Sequence, residues 1–164
     1  MQTPVEECRV EINKVLAALD FSQYSEITFS NALTMAQALG AELILLNVLN
    51  IRGLDTLDVL AAEGYDISRE AIVEKHTATR RATLENEYIS RAGDVPTRGI
   101  IKQGLPWDAV LHTIKEESVD IVVLGAKGHG NLAGVLFGST AEKVHRHSPC
   151  TVVSVRGPEH CRLP

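Results

Sequence analysis

Continuous apolar runs alternate along this chain with segments whose apolar residues recur at helical spacing. The run inside Glu11–Asp20 (EINKVLAALD) reads as a buried strand, closed by the polar break Asp20–Ser25. In Glu26–Gly40, Ile27, Ala32, Leu33, Met35, Ala36 and Leu39 fall close to one helical face, and Gly40 sits where a helix-ending glycine belongs. Ala41–Asn50 is a second strand. Its stretch Leu43–Leu46 is apolar without alternation, as in a parallel sheet covered on both faces.

Residues 50–64 fit either a short helix or a mobile connection. Asp66–Arg91 is a long, charged, helix-favouring segment with an imperfect apolar stripe, ended by Gly93. Its charges read as a solvated face. Val95–Gly104 predicts a third strand, and Pro106–Ser118 a helix with proline in its first turn. Val119–Gly125 is strand four, Ser139–Ser148 a short helix, and Cys150–Arg156 strand five. This order, β-α-β-α-β-α-β-α-β, predicts one α/β domain: an open parallel five-stranded sheet with helices on both faces. The domain is expected over 11–157, with tails at 1–10 and 158–164.

Composition narrows the function classes. A formal net charge of −5 argues against a nucleic-acid module, and 4% aromatic residues leave few base-stacking platforms. No apolar run approaches the roughly 20 residues that span a bilayer. The mixed, acidic N-terminus lacks the pattern of a signal peptide. Cys8, Cys150 and Cys161 are odd in number and widely spaced, which fits a reduced, cytoplasmic protein.

Open parallel sheets bind ligands beyond the carboxyl ends of their strands, where the strand order reverses. Under the order 3-2-1-4-5, that point falls between Asp20, after strand one, and Gly125, after strand four. The stretch after strand four, LGAKGHGNLAGVLFGST, is rich in glycine. It lacks the Gly-Lys-Ser/Thr of a P-loop. Gly128, Gly130 and Ala133 match GxGxxA, but late in the chain and without the acidic residue about 20 positions on. The alternative uses Gly125 and Gly128 for a sharp turn and close backbone approach, and Gly138 to open a helix whose free amides hold an anion. Ser139 and Thr140 then offer hydroxyls to phosphate oxygens, with Lys127 or His129 as nearby positive charge. Asp20 is either a helix cap or a ligand-facing carboxylate, and the two are compatible. His145, His147 and Cys150 match no metal-site spacing; the histidines suit a helix C-terminus. Trp107 reads as a packing residue beside Pro106.

Gly125, Gly128, Gly138 and Ser139 fill the pattern G-x2-G-x9-G-S/T, and in this the chain resembles the nucleotide-binding members of the universal stress protein family. The likeness extends over the first β-α-β unit and over the second half, together most of Glu11–Arg156. It implies an adenine nucleotide alpha hydrolase-like fold with strand order 3-2-1-4-5, ATP or AMP binding, and a homodimer joined through strand five. By resemblance, Ala18, Leu19 and Asp20 lie on the adenine side, and Val48 lines the base. Gly104 and Pro106 form the turn near the ribose. Leu124, Gly125, Ala126, Lys127 and Gly128, with Gly138, Ser139 and Thr140, form the ribose and phosphate loop; the family position of Lys127 varies. Mg²⁺ would be held mainly by the phosphates. No arginine finger or general base is identifiable. The expected activity is that of a nucleotide-dependent dimeric switch in a stress response, read by an unknown regulatory partner. Slow ATP hydrolysis and a nucleotide-independent dimeric scaffold are the alternatives.

Overall fold

The structure is a computed structural model, and it describes residues 11–50, 68–128 and 137–157. The expected helix or connection after Asn50 lies outside these residues, as do both tails and the Gly130–Ala133 part of GxGxxA.

Five strands, β1 (Lys14–Ala18), β2 (Glu42–Leu49), β3 (Thr97–Gln103), β4 (Ile121–Gly125) and β5 (Thr151–Val155), form one sheet. Its order is β3-β2-β1-β4-β5, and every pairing is parallel, as the sequence leads one to expect. Four helices accompany it among the described residues: α1 (Ser25–Leu39), α2 (Arg69–Thr83), α3 (Pro106–Glu117) and α4 (Ser139–His147).

Strand pleating divides the core by residue parity. Val15, Ala17, Leu43, Leu45 and Val123 point to the face covered by α1. Leu16, Ile44, Leu46, Val122 and Leu124 point to the face covered by α3 and α4. All are essentially inaccessible, so each fully buried Val, Leu or Ile contributes about 1.5–3 kcal/mol of transfer free energy. Burial on both faces is why these strands read as continuous apolar runs.

Helix ends follow local chemistry. Gly40 takes the left-handed conformation, φ 65°, and Ala41 N–H donates to Ala36 O at 2.9 Å. Ser118 does the same at φ 54°, with Val119 N–H on Ile114 O at 2.9 Å. No glycine marks that second end.

The segment expected as one helix over 66–91 is α2, followed by a π-helical turn, Leu84–Tyr88, and a 3₁₀ turn, Ile89–Arg91. No residue of α2 is buried, whereas Leu84 and Tyr88 are. The backbone widens where these two side chains enter the core. Tyr88 meets Phe29 edge-on at 5.2 Å. Gly99 of β3 leaves room for the segment: a Cβ there would lie 3.2 Å from Leu84 Cδ1.

Polar ties close the end of the sheet away from the expected ligand loops. Asp120 Oδ2 accepts from Asn13 N–H at 2.8 Å and Lys14 N–H at 2.9 Å, holding the starts of β1 and β4 in register. Arg98 of β3 reaches Glu42 of β2 and Glu117 at the end of α3, both at 2.5 Å. The hydrogen bond from Arg98 holds the Glu117 carboxyl below its ordinary value of 4.5. A carboxylate depressed in the folded state stabilises above its unfolded pKa, and that contribution fades as pH falls through the folded value. Glu117→Gln is therefore expected to cost about 1 kcal/mol or less at neutral pH. It should also flatten the stability loss between about pH 5 and about pH 3, measured by urea denaturation across that range.

Candidate functional site

A cleft of about 770 Å³ opens at the carboxyl ends of β1, β2 and β4. Volumes of this order suit small-molecule and cofactor sites. Ala18, Leu19 and Asp20 leave β1 along one wall, and Val48 faces the cleft from β2. Pro106 enters from the first turn of α3. Leu124, Gly125, Ala126, Lys127 and Gly128 continue β4 into it, and Gly138, Ser139 and Thr140 close it at the start of α4. Of the residues that the resemblance assigns to the nucleotide, Gly104 alone is not part of the lining. It forms the turn ahead of Pro106, with φ 130° and its N–H on Leu49 O at 3.0 Å.

The two glycine segments are joined directly. Gly138 N–H donates to Ala126 O at 2.7 Å, and Ala126 N–H donates to Val155 O at 2.8 Å. The end of β4, the edge strand β5 and the start of α4 are thus one hydrogen-bonded unit. Gly138 occupies the N-cap position of α4, extended and without a side-chain cap. The first-turn amides of α4 have no intrahelical acceptor, and the helix dipole makes this end favourable for an anion.

Gly125 and Gly128 stand where a side chain does not fit. A Cβ on Gly125 would lie 2.7 Å from Lys127 O and 3.2 Å from Tyr24 Cβ. A Cβ on Gly128 would run into Oδ2 of Asp20. Gly128 therefore lets the backbone close onto the carboxylate across the strand-order switch.

Asp20 is not the N-cap of α1, a position held by Tyr24. Its Oδ1 accepts from Ser22 N–H at 2.9 Å and Ser25 Oγ at 3.1 Å. These bonds fold the chain sharply after β1 and place Phe21 at φ 60°, a conformation that costs a non-glycine residue about 1–2 kcal/mol. Phe21 is held there by stacking on Tyr88, with ring centroids 6.1 Å apart.

Two polar residues of the site carry no motif. Asn47 is fully buried within the apolar run of β2. Its amide donates to Leu19 O at 2.7 Å, and its oxygen accepts from Arg80 Nη1 at 2.7 Å. Arg80, from α2, lines the cleft and is half-buried, so this charge departs from the solvated face expected of the segment. A lone Asn inside LILLNVL was the available signal, because an unbonded buried amide costs free energy. Arg80 had none.

The remaining candidates serve the scaffold. Trp107 packs against the α3–α4 side of the core and lies 4.8 Å beneath Lys143 Nζ, outside the cleft. His145 Nε2 is 2.5 Å from Ser154 Oγ, tying α4 to β5. Cys150 is half-buried and free, beside Ser148 Oγ.

The universal stress protein family profile matches residues 11–156. Universal stress protein MJ0577 of Methanocaldococcus jannaschii is 30% identical over 156 residues, covering 90% of this chain and 96% of that protein. A solved structure of MJ0577 superposes with a TM-score of 0.73 at 25% identity, covering 90% and 98% of the two chains. A universal stress protein solved in complex with cAMP shares the fold, with a TM-score of 0.60 at 24% identity over 90% of this chain and 98% of that one. So does one from Archaeoglobus fulgidus in complex with dAMP, with a TM-score of 0.54 at 16% identity over 87% and 96%.

Because the obstruction at Gly125 is backbone oxygen, it cannot rotate aside. Gly125→Ala is expected to lower stability by about 1–3 kcal/mol, read from the denaturation midpoint in urea. An unchanged midpoint would contradict the packing described around this turn.

Proposed function

We propose that this chain, which belongs to the universal stress protein family, binds an adenine nucleotide, ATP or AMP, in the cleft at the carboxyl ends of β1, β2 and β4. The observation that carries the reading is the Gly138–Ala126 hydrogen bond. It puts an uncapped helix N-terminus and a glycine turn on the same cleft as Asp20. In this reading the base lies against Ala18–Asp20 and Val48, and the ribose near Pro106 and the turn that Gly104 makes. The phosphates meet Gly128, the first-turn amides of α4, and the hydroxyls of Ser139 and Thr140. Lys127 adds a cation to the lining. Among the described residues no group of three His, Cys, Asp or Glu is arranged to hold a metal ion. Mg²⁺ would be bound mainly through phosphate oxygens.

Two family relatives of the same fold have been solved with cAMP and with dAMP. At their level of identity they speak for the fold, and the ligand reading rests on the geometry of this cleft. The proposed role is regulatory. A nucleotide that contacts the glycine turn and α4 favours one arrangement of the β4–β5–α4 unit. Among the described residues β5 pairs with β4 alone, leaving an edge on which a second copy can dock to form a homodimer. A partner protein that distinguishes the two arrangements, in the cytoplasm, would complete the switch.

Isothermal titration of the purified protein with ATP, AMP and cAMP tests the reading. Saturable binding of ATP or AMP is expected, and absence of binding to all three would refute it. Gly128→Val should weaken binding by at least about tenfold, since it displaces Asp20 and fills the approach to the phosphates. Its circular dichroism spectrum should match that of the parent. Undiminished affinity would remove the glycine turn from the site.

A further inference from the structure

Asn47 poses a question that the fold alone does not answer. It stands in β2 between Leu46 and Val48, with no accessible surface. Burying an amide there is unfavourable unless all its strong hydrogen-bonding groups are used. One side binds Leu19 O, at the end of β1. The other binds the guanidinium of Arg80. The pair thus fixes a cation from α2 beside the end of β1, within the lining of the cleft.

Arg80 is held from a second direction. Its guanidinium carbon lies 5.8 Å from the centroid of the Phe21 ring, and Phe21 is itself stacked on Tyr88. No ion pair joins Arg80 to a carboxylate among the described residues. An arginine that is pinned, half-buried, lacking such a counter-charge and exposed to a cleft is placed to meet a ligand. Topology says which part of the ligand. α2 packs on β2 and β3, whereas the glycine turn and the α4 N-terminus belong to β4, on the opposite side of β1.

Resting on the nucleotide reading above, we infer that Arg80 is a ligand-contacting residue of the base end of the cleft. It presents its planar guanidinium to the nucleobase, and Asn47 is its positioning residue. A guanidinium offers a flat, weakly hydrated face for stacking and N–H donors for ring nitrogens.

The test compares adenosine, AMP and ATP, which share the base and differ in phosphate number. Arg80→Met keeps an apolar side chain of similar reach and removes the guanidinium. It is expected to raise Kd for all three ligands by a common factor, roughly five- to thirtyfold. A loss that grows from adenosine to ATP would put Arg80 on the phosphates and overturn the assignment. Unchanged affinities would overturn it too, leaving the nucleotide reading intact. If the parent protein binds none of the three, both readings fall together. Arg80→Lys retains the charge without the planar face and should recover only a small part of the affinity; full recovery would contradict base stacking. Ligand-free melting curves monitor folding, and if Arg80→Met melts early, Arg80→Lys carries the same three-ligand comparison.

Discussion

One hydrogen bond organises the functional end of this molecule, that from Gly138 N–H to Ala126 O. Eleven residues lie between Ala126 and Gly138 in the sequence, yet the two are hydrogen-bonded at the end of β4. Beside it, the missing side chain at Gly125 lets the turn fold back onto Lys127 O, and the one at Gly128 lets the backbone close onto Asp20. From the hydrogen bond follow the orientation of the α4 N-terminus, the position of Ser139 and Thr140, and the attachment of the turn to β5 through Val155. Asp20 completes the arrangement from β1, across the point where the strand order reverses.

The opposite wall is built by a different principle. There the polar groups are side chains in a core that is otherwise apolar. Asn47 has both ends of its amide used, one by the backbone of the neighbouring strand and one by Arg80. This confines the guanidinium far more narrowly than a surface arginine, whose rotamers are free. The cleft thus joins a backbone-lined half, suited to the oxygens of an anion, to a half lined by fixed side chains and aliphatic surface.

Much of this was legible in the sequence, for identifiable reasons. Strand and helix placement followed from apolar runs without alternation, from Gly40, and from Pro106, each with a strong local preference, whereas the strand order was implied by the family resemblance. The glycine spacing and Asp20 pointed to one end of the sheet because open parallel sheets place loops from adjacent strands together there. Other features were hidden. The segment 66–91 reads as one helix because an apolar stripe shows no sign of a change in winding; only the packed positions of Leu84 and Tyr88 reveal it. Arg80 was one charge among many on that segment, and its role depends on a residue 33 positions earlier. Gly104 illustrates the reverse case: its positive φ shapes the turn, while the cleft wall is made by Pro106.

The π-helical turn at Leu84–Tyr88 has an angular consequence. Arg80 and Tyr88 both address Phe21, one from above its ring and the other by stacking. In a regular α-helix, residues eight apart have drifted by about 80° around the axis and could not share a target so readily. A π turn advances less per residue and takes up that drift. The widened turn acts as a phase adjustment between two halves of one rod, setting the azimuth of the cation against the azimuth of the aromatic anchor. Helical phase, rather than helical length, is what this segment supplies to the cleft.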